Sequence, residues 1–315
     1  MAKIKVSELF GPAGYWTYTL QDPGEFESEF VERYGVTQGE GKYVGKPSTF
    51  IRIYGCNLEC RGFGLPSGEK TTEPEDIVAQ IAVYKSVSDL PVPKYGCDSF
   101  YSWHPGTKHL SPTMSTGDIA EEALQTVGGS FFKNKIDPVH LILTGGEPML
   151  GWQRAYVDLI QDIKSRDSVW ATDDSLKLPL TFETNGTKAI NHEAISTLRE
   201  MCNITWSVSP KLTVSGHTHQ EAIKPAIVRE YLDHSTDMYL KFVVQAIEDF
   251  DELDAVVQAY RDAGVDVPVY VMAEGGVPSE YKKHATVELV SEAVKRGYSI
   301  SPRLHVLIGD NAMSW

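Results

Sequence analysis

The sequence predicts an α/β fold, a partial, open (β/α) barrel in one main domain. Two observations carry this. From Thr116 onward, short apolar, β-branched runs alternate with segments whose apolar residues recur at helical spacing. Strands that alternate with helices in this way pair in parallel. The second observation is the count: about seven strands, where a closed eight-stranded barrel uses ~250 residues. Much of the 315-residue chain lies outside those units. Residues 1–33 read as an N-terminal extension, because Pro12, Gly14, Pro23 and Gly24 interrupt any long element. Residues 34–315 then form the single domain, with an insertion at about 61–94.

The elements follow in order. Thr49-Phe50-Ile51-Arg52-Ile53-Tyr54 is β-branched and aromatic, and it runs into Gly55 as a strand. The insertion opens with Gly62, Gly64, Pro66 and Gly68, and a helix is predicted from Glu73 to about Lys85, with Pro74 in its first turn. Ile119, Ala120, Ala123, Leu124 and Val127 mark the next helix, before a buried strand over Val139–Thr144. Helix Gln153–Lys164, strand Leu180–Thr184, helix Glu193–Met201 and strand Ile204–Ser209 continue the alternation. Strand Tyr239–Gln245, helix Asp251–Ala263, strand Val269–Ala273, helix Ser279–Arg296 and strand Ser299–Ile308 complete it.

Composition narrows the function classes. Hydrophobic residues make up 42% and charged residues 23%, as in ordinary soluble globular proteins. A net charge of −14 argues against sequence-independent nucleic-acid binding, which needs a basic surface. The opening Met1-Ala2-Lys3-Ile4-Lys5-Val6 lacks the apolar core of a signal peptide, and no apolar run reaches the ~20 residues of a membrane span. Four cysteines are too few for a disulfide framework, so reduced thiols in a cytoplasmic setting are expected.

Three of those cysteines carry the strongest chemical signal. Cys56 and Cys60 share a loop directly after a strand, and Cys97 follows in Gly96-Cys97-Asp98-Ser99. Three thiols can hold a four-iron cluster and leave one iron open. Zinc with His104 or His109 as fourth ligand, or simply buried small apolar residues, are the other readings of the same residues. Cys202 reads as a core thiol.

Polar motifs stand at several other strand ends, where sites in such folds collect. In Thr144-Gly145-Gly146-Glu147-Pro148 the glycines let the backbone pass close to a ligand. Glu183-Thr184-Asn185-Gly186-Thr187 and Ser209-Pro210-Lys211 end two further strands. Thr37-Gln38-Gly39-Glu40-Gly41 offers donor and acceptor edges suited to a flat heterocycle, and Arg52 a bidentate partner for a carboxylate. Each motif alone also reads as an ordinary turn.

In combination they resemble a family. Gln38-Gly39-Glu40-Gly41, Phe50-Ile51-Arg52 and Gly55-Cys56-Asn57-Leu58-Glu59-Cys60 look like the start of the 7-carboxy-7-deazaguanine synthase family, within the radical S-adenosylmethionine enzymes. Thr144–Pro148, Glu183–Thr187, Ser209–Lys211 and the closing Arg303–Gly309 appear behind it in the expected order. The resemblance runs from about residue 31 to the end. One departure stands out: Phe63 occupies the slot of the family's third cluster Cys, and the triplet appears instead as Cys97-Asp98-Ser99, with Tyr95 and Gly96 before it. An insertion within the cluster loop is the implied cause.

The resemblance implies a barrel of the radical S-adenosylmethionine type and ring contraction of 6-carboxy-5,6,7,8-tetrahydropterin to 7-carboxy-7-deazaguanine, with loss of ammonia, in a queuosine-type pathway. It implies Cys56, Cys60 and Cys97 as cluster ligands and Ser99 as a magnesium ligand. Gly96, Asp98, Gly145, Gly146, Glu147, Glu183, Ser209, Pro210 and Lys211 would meet S-adenosylmethionine. Thr37, Gln38, Gly39, Glu40, Arg52 and Thr144 would meet the pterin. It further implies a homodimer and an electron donor such as flavodoxin or ferredoxin, with no membrane and no direct nucleic-acid contact.

Overall fold

Seven strands of one sheet run parallel, and the sheet does not close on itself. The computed structural model describes residues 2–12, 14–20, 26–32 and 36–309. In chain order the elements are β1 (Lys3–Gly11), β2 (Gly14–Leu20), β3 (Phe26–Glu32), β4 (Ser48–Ile53), α1 (Glu73–Val78), β5 (Thr113–Ser115), α2 (Thr116–Thr126), β6 (His140–Gly145) and α3 (Gln153–Arg166). They continue with β7 (Leu178–Thr184), α4 (His192–Met201), β8 (Cys202–Val208), α5 (His219–Ala222), α6 (Pro225–Asp233), β9 (Asp237–Val244) and α7 (Asp249–Asp262). Last come β10 (Val269–Ala273), α8 (Pro278–His284), α9 (Val287–Lys295), β11 (Ser299–Ser301) and α10 (Leu304–Gly309).

The sheet order is β11-β10-β9-β8-β7-β6-β4-β1-β2-β3, with β5 beside β1. From β11 to β4 every pairing is parallel. β4 then pairs antiparallel with β1 rather than meeting β11, which leaves the barrel open as predicted. The core lies between the strands and their crossover helices. At its centre Trp206 of β8 stacks on Phe182 of β7 at 4.7 Å and on Tyr231 of α6 at 4.5 Å. Such offset ring pairs add to the burial of large apolar surface. Cys202 is a buried thiol at the start of β8. Among the described residues no helix is long and apolar enough to cross a membrane.

Several sequence expectations need correction. The first residues are not free of long elements: β1 runs nine residues, and Pro12 and Gly14 lie at the β1–β2 turn. Pro23 and Gly24 lie outside the described residues. The helix expected to reach about Lys85 ends at Val78 and gives way to short 3-10 turns, which the β-branched Ile81 and Val83 tolerate better than a long helix. The helix expected over Ser279–Arg296 is two: the chain leaves helical geometry at Ala285, and Thr286 caps α9 through the Leu289 N–H. The last strand stops at Ser301, because Pro302 has no N–H for the ladder, and residues from Leu304 turn helical. Helices α5 and α6 were not anticipated, although Thr218 and Glu221 form a capping box and Pro225 opens α6.

Candidate active site

Parallel register brings the polar motifs to one edge of the sheet. Arg52 stands opposite Thr144, and Ile53 opposite Gly145. Glu183 stands opposite Ser207, which stands opposite Tyr239. These positions are the carboxyl ends of β4, β6, β7 and β8. Two joined chambers open there, and Glu40, Asp98, Ser99, Thr144, Gly145, Glu183 and Arg303 form the wall they share.

The three thiols belong to the second chamber. Cys56, Cys60 and Cys97 all line it. Cys60 is the single non-glycine residue with positive φ among the described residues, at +49°. That conformation is costly for a side chain bearing Cβ. Its N–H donates to His217 Nε2 at 3.1 Å, which helps hold the turn. One residue pair further on, the Gly62 N–H donates to the Ser215 carbonyl at 3.0 Å, where a Cβ on Gly62 would strike the backbone of Ser215 and Gly216.

Residues 64–95 leave and return through a narrow neck. The Gly96 N–H donates to the Phe63 carbonyl at 2.8 Å, and the Thr71 N–H to the Arg61 carbonyl at 2.9 Å. The Glu73 carboxylate accepts from the Lys94 and Tyr95 N–H groups at 3.0 Å. The long gap in sequence between Cys60 and Cys97 is therefore a short gap in space. His104 is engaged elsewhere: its Nδ1 accepts from the Gly106 N–H at 3.0 Å and its Nε2 faces Glu75 at 3.7 Å. Neither His104 nor His109 lines the thiol chamber.

Three thiols that line one cavity are a donor set that a four-iron cluster with one open corner can take. Thiols spread around one cavity suit a group with several iron corners. Burial, with the charge of Glu147, pushes the Cys56 thiol up to about 12, and burial also raises Cys60 and Cys97. Such thiols are neutral when free. A bound cationic centre reverses that preference by favouring thiolate.

The Gly145-Gly146 pair lets β6 cross the β4 exit. The Gly146 N–H donates to Ile53 O at 3.0 Å and the Glu147 N–H to Gly55 O at 2.7 Å. A Cβ on Gly146 would lie 2.2 Å from Gly55 O and 2.9 Å from Cys56 Cβ. Glu147 itself is turned away from both chambers. Its buried carboxylate accepts from the Thr184 hydroxyl at 2.7 Å, the Asn185 N–H at 2.7 Å and the Met149 N–H at 2.9 Å. It braces the end of β6 against the end of β7. Pro210 lines neither chamber, whereas Ser209 and Lys211 line the second and bond each other at 2.9 Å.

The first chamber gathers Thr37, Gln38, Gly39, Glu40, Arg52, Ser99 and Thr144. Glu183 is clamped by the Gln38 amide at 2.9 Å and the Thr144 hydroxyl at 2.8 Å. Glu40 is a buried hub. Burial alone would raise its pKa, but Lys241 at 2.6 Å, Arg303 at 3.1 Å and His305 at 3.6 Å hold it well below the usual carboxylate range. Arg303 also bonds Asp98 and the Gly275 carbonyl. Burial, then Arg303, depresses His305 to about 4. Arg52 donates to Glu8 at 3.1 Å and to the Ser99 hydroxyl at 3.0 Å, with its guanidinium over the Tyr101 ring.

Sequence reasoning missed Glu8, Lys241, Glu274 and His217, and it read Arg303 and His305 only as part of a closing motif without a role in the site. Glu8 comes from β1, where the register shifts between Val6 and Glu8 and a bulge re-aims the side chain. Lys241 had a signal: a charge inside the apolar run Tyr239-Leu240-Lys241-Phe242-Val243. Glu274, before Gly275-Gly276, repeats the polar strand-end pattern of the other motifs. Nothing local in the sequence marks His217.

No family model matches the chain. Curated relatives do. The chain is 28% identical over 296 residues to a 7-carboxy-7-deazaguanine synthase of Halobacterium salinarum, covering 87% of this chain and 88% of that protein. It is 26% identical over 284 residues to the Pyrobaculum aerophilum protein of the same name, covering 90% and 95%. For the Escherichia coli K12 protein of that name the figures are 24% over 276 residues, covering 87% and 95%. The resemblance first read from the motifs thus extends along nearly the whole chain, in both archaea and bacteria. Among solved structures, Streptococcus suis SuiB bound to precursor peptide SuiA aligns with a TM-score of 0.37 at 16% identity, covering 61% of this chain and 42% of that one.

Proposed function

We propose that this chain is a 7-carboxy-7-deazaguanine synthase, contracting the ring of 6-carboxy-5,6,7,8-tetrahydropterin with loss of ammonia. The observation that carries the reading is the pair of joined chambers, one ringed by three thiols and one by Gln38, Arg52 and Thr144, in a chain similar to curated synthases over 87–90% of its length. Residues 61–94 are an insertion that returns the chain to its third ligand, Cys97.

Held by Cys56, Cys60 and Cys97, a four-iron cluster with S-adenosylmethionine would supply the hydrogen-abstracting radical chemistry. The protein's own residues orient the reactants. Gly145 and Gly146 expose backbone at the methionine end, and Ser209 with Lys211 stands beside the nucleoside. Thr37, Gln38 and Gly39 meet the pterin edge, and Arg52 meets its carboxylate. The Arg52 charge is shared with Glu8, so a magnesium ion held at the Ser99 hydroxyl would supply the remaining positive charge on that side. A homodimer, a flavodoxin- or ferredoxin-type donor and a cytoplasmic setting belong to the same proposal.

The test is anaerobic reconstitution, with iron and sulfide analysis, followed by incubation with the carboxypterin, S-adenosylmethionine and dithionite. The expected result is a deazapurine product from the natural chain and none from Cys97→Ala. Zinc without sulfide, or a sound cluster that yields no deazapurine, overturns the proposal.

A further inference from the structure

The thiol chamber is long. Its lining runs from Gly145 and Gly146 at the end of β6 to Met272 and Glu274 at the end of β10. Those strands are four places apart in the sheet. At about 4.8 Å per strand the two ends stand roughly 19 Å apart along the sheet. A ligand that meets both ends must lie extended along the chamber.

Glu274 has an unmet need. It is 4% exposed, and its Oε2 has no hydrogen-bond partner among the described residues. His284 Nε2 lies 3.4 Å away without the alignment of a hydrogen bond. His284 Nδ1 donates to the Gln245 carbonyl oxygen at 2.7 Å, so that ring nitrogen is spent on the backbone. Arg303, whose charge also reaches Glu274, is occupied by Glu40, Asp98 and the Gly275 carbonyl. Asp98 and Glu280 add only like charge. A buried acceptor in this position calls for a donor from a ligand.

The surroundings define that donor. Leu58, Phe63, Val243 and Met272 line the same chamber and present apolar surface suited to a flat ring. Ribose hydroxyls would meet the polar Ser209 and Lys211 nearer the middle of the chamber. The adenine of S-adenosylmethionine combines a flat apolar face with an exocyclic amino group at its edge.

We propose that Glu274 Oε2 accepts a hydrogen bond from the adenine amino group of the cofactor, with the ring against Phe63 and Met272, and so sets the preference for an adenine nucleoside. This rests on the reading of the chain as an S-adenosylmethionine enzyme. The closing experiment measures equilibrium binding of S-adenosylhomocysteine and of S-inosylhomocysteine, which carries a carbonyl oxygen in place of the amino group. The full chain with its reconstituted cluster is compared with Glu274→Ala and Glu274→Gln, and iron and sulfide are counted in each. The natural chain should favour the adenosyl compound by roughly tenfold or more, the worth of one hydrogen bond to a charged acceptor. Glu274→Ala should lose that factor for the adenosyl compound alone. Glu274→Gln, whose amide can turn its N–H toward the carbonyl, should narrow or reverse the preference. Undiminished discrimination in either variant with full iron overturns the role of Glu274. A natural chain that holds its cluster yet binds neither compound overturns the cofactor reading itself.

Discussion

Replacing Gly96 with alanine tests whether the neck of the insertion delivers Cys97. Gly96 has a φ of +83°, in the left-handed region. An alanine there costs about 1–2 kcal/mol in backbone conformation. A Cβ would also stand 2.7 Å from Thr71 Cγ2, and only 3.5 Å from the Cys60 carbonyl oxygen. Thr71 is a buried side chain with little room to yield, so the overlap adds about 1 kcal/mol or more. Together the penalty is roughly 2–4 kcal/mol, a large part of the ~5–15 kcal/mol that stabilises a typical domain. Thr71→Ser separates the two parts. It removes the offending methyl and keeps the hydroxyl that accepts from the Glu73 N–H at 3.0 Å. On its own it should cost about 0.8 kcal/mol. In the double mutant the alanine penalty should fall by about 1 kcal/mol, leaving the backbone part, and a double-mutant cycle reads the difference. Urea unfolding followed by tryptophan fluorescence gives the energies, and iron per chain after anaerobic reconstitution gives the consequence for the neighbouring thiol. A Gly96→Ala protein with an unchanged unfolding midpoint and full iron content refutes the reasoning.

Further outcomes follow from the same geometry. Gly146→Ala would drive a Cβ to 2.2 Å from the Gly55 carbonyl, so it should cost about 3 kcal/mol and lower iron retention by displacing Cys56; equal iron binding would speak against a tight crossing. Arg303→Gln leaves Glu40 and Asp98 without their shared guanidinium, and unfolding should become easier by about 3–5 kcal/mol in calorimetry or urea titration. Burial raises the Glu274 carboxyl to about 7 from its ordinary 4.5. Between those values the unfolded chain gives up its proton first, so stability falls as pH rises, by about 3 kcal/mol in all, and Glu274→Gln should flatten that slope. His305, depressed to about 4 from 6.5, acts in the opposite sense. As pH falls through that window the unfolded chain takes up the proton first, and His305→Asn should remove about 3 kcal/mol of acid sensitivity from the unfolding curves.

Much of this was legible in the sequence because parallel βα units write their periodicity locally. β6, β7 and β8 each read as an apolar run ending in a polar or glycine-rich turn, and those turns are where the chambers open. The cysteine loop and the Gly-Gly crossing were visible for the same reason. The failures are non-local. β1 alternates Lys3, Ile4, Lys5 and Val6, but only its pairing with β4 and the bulge at Glu8 bring a carboxylate to Arg52. Arg52 looked like an unshared partner for a ligand because Glu8 lies 44 residues earlier. Glu147 looked like a ligand residue because its three donors come from backbone and side chain that fold onto it. Helices α5 and α6 had capping signals, yet their short lengths leave little apolar period to detect.

The same non-local charges explain how the long excursion from Cys60 to Cys97 ends in a defined place. Its near side is fixed by backbone bonds at Phe63 and Gly96. Its far side is fixed by Asp98, which Arg303 holds together with Glu40. Glu40 sits in the glycine-rich loop before β4, and Arg303 follows β11 at the opposite end of the parallel sheet. One guanidinium thus ties the thiol loop, the Gln38–Glu40 loop and the last strand across the mouth of an open barrel. A closed barrel would obtain that connection from strand pairing. Here the gap between β11 and β4 leaves it to buried ion pairs, which are strong only while every partner is present. Loss of Arg303 should therefore loosen Cys97 and the Gln38–Glu40 loop together. Loss of Lys241, which touches Glu40 alone of these groups, should disturb the first chamber while leaving the thiols in place.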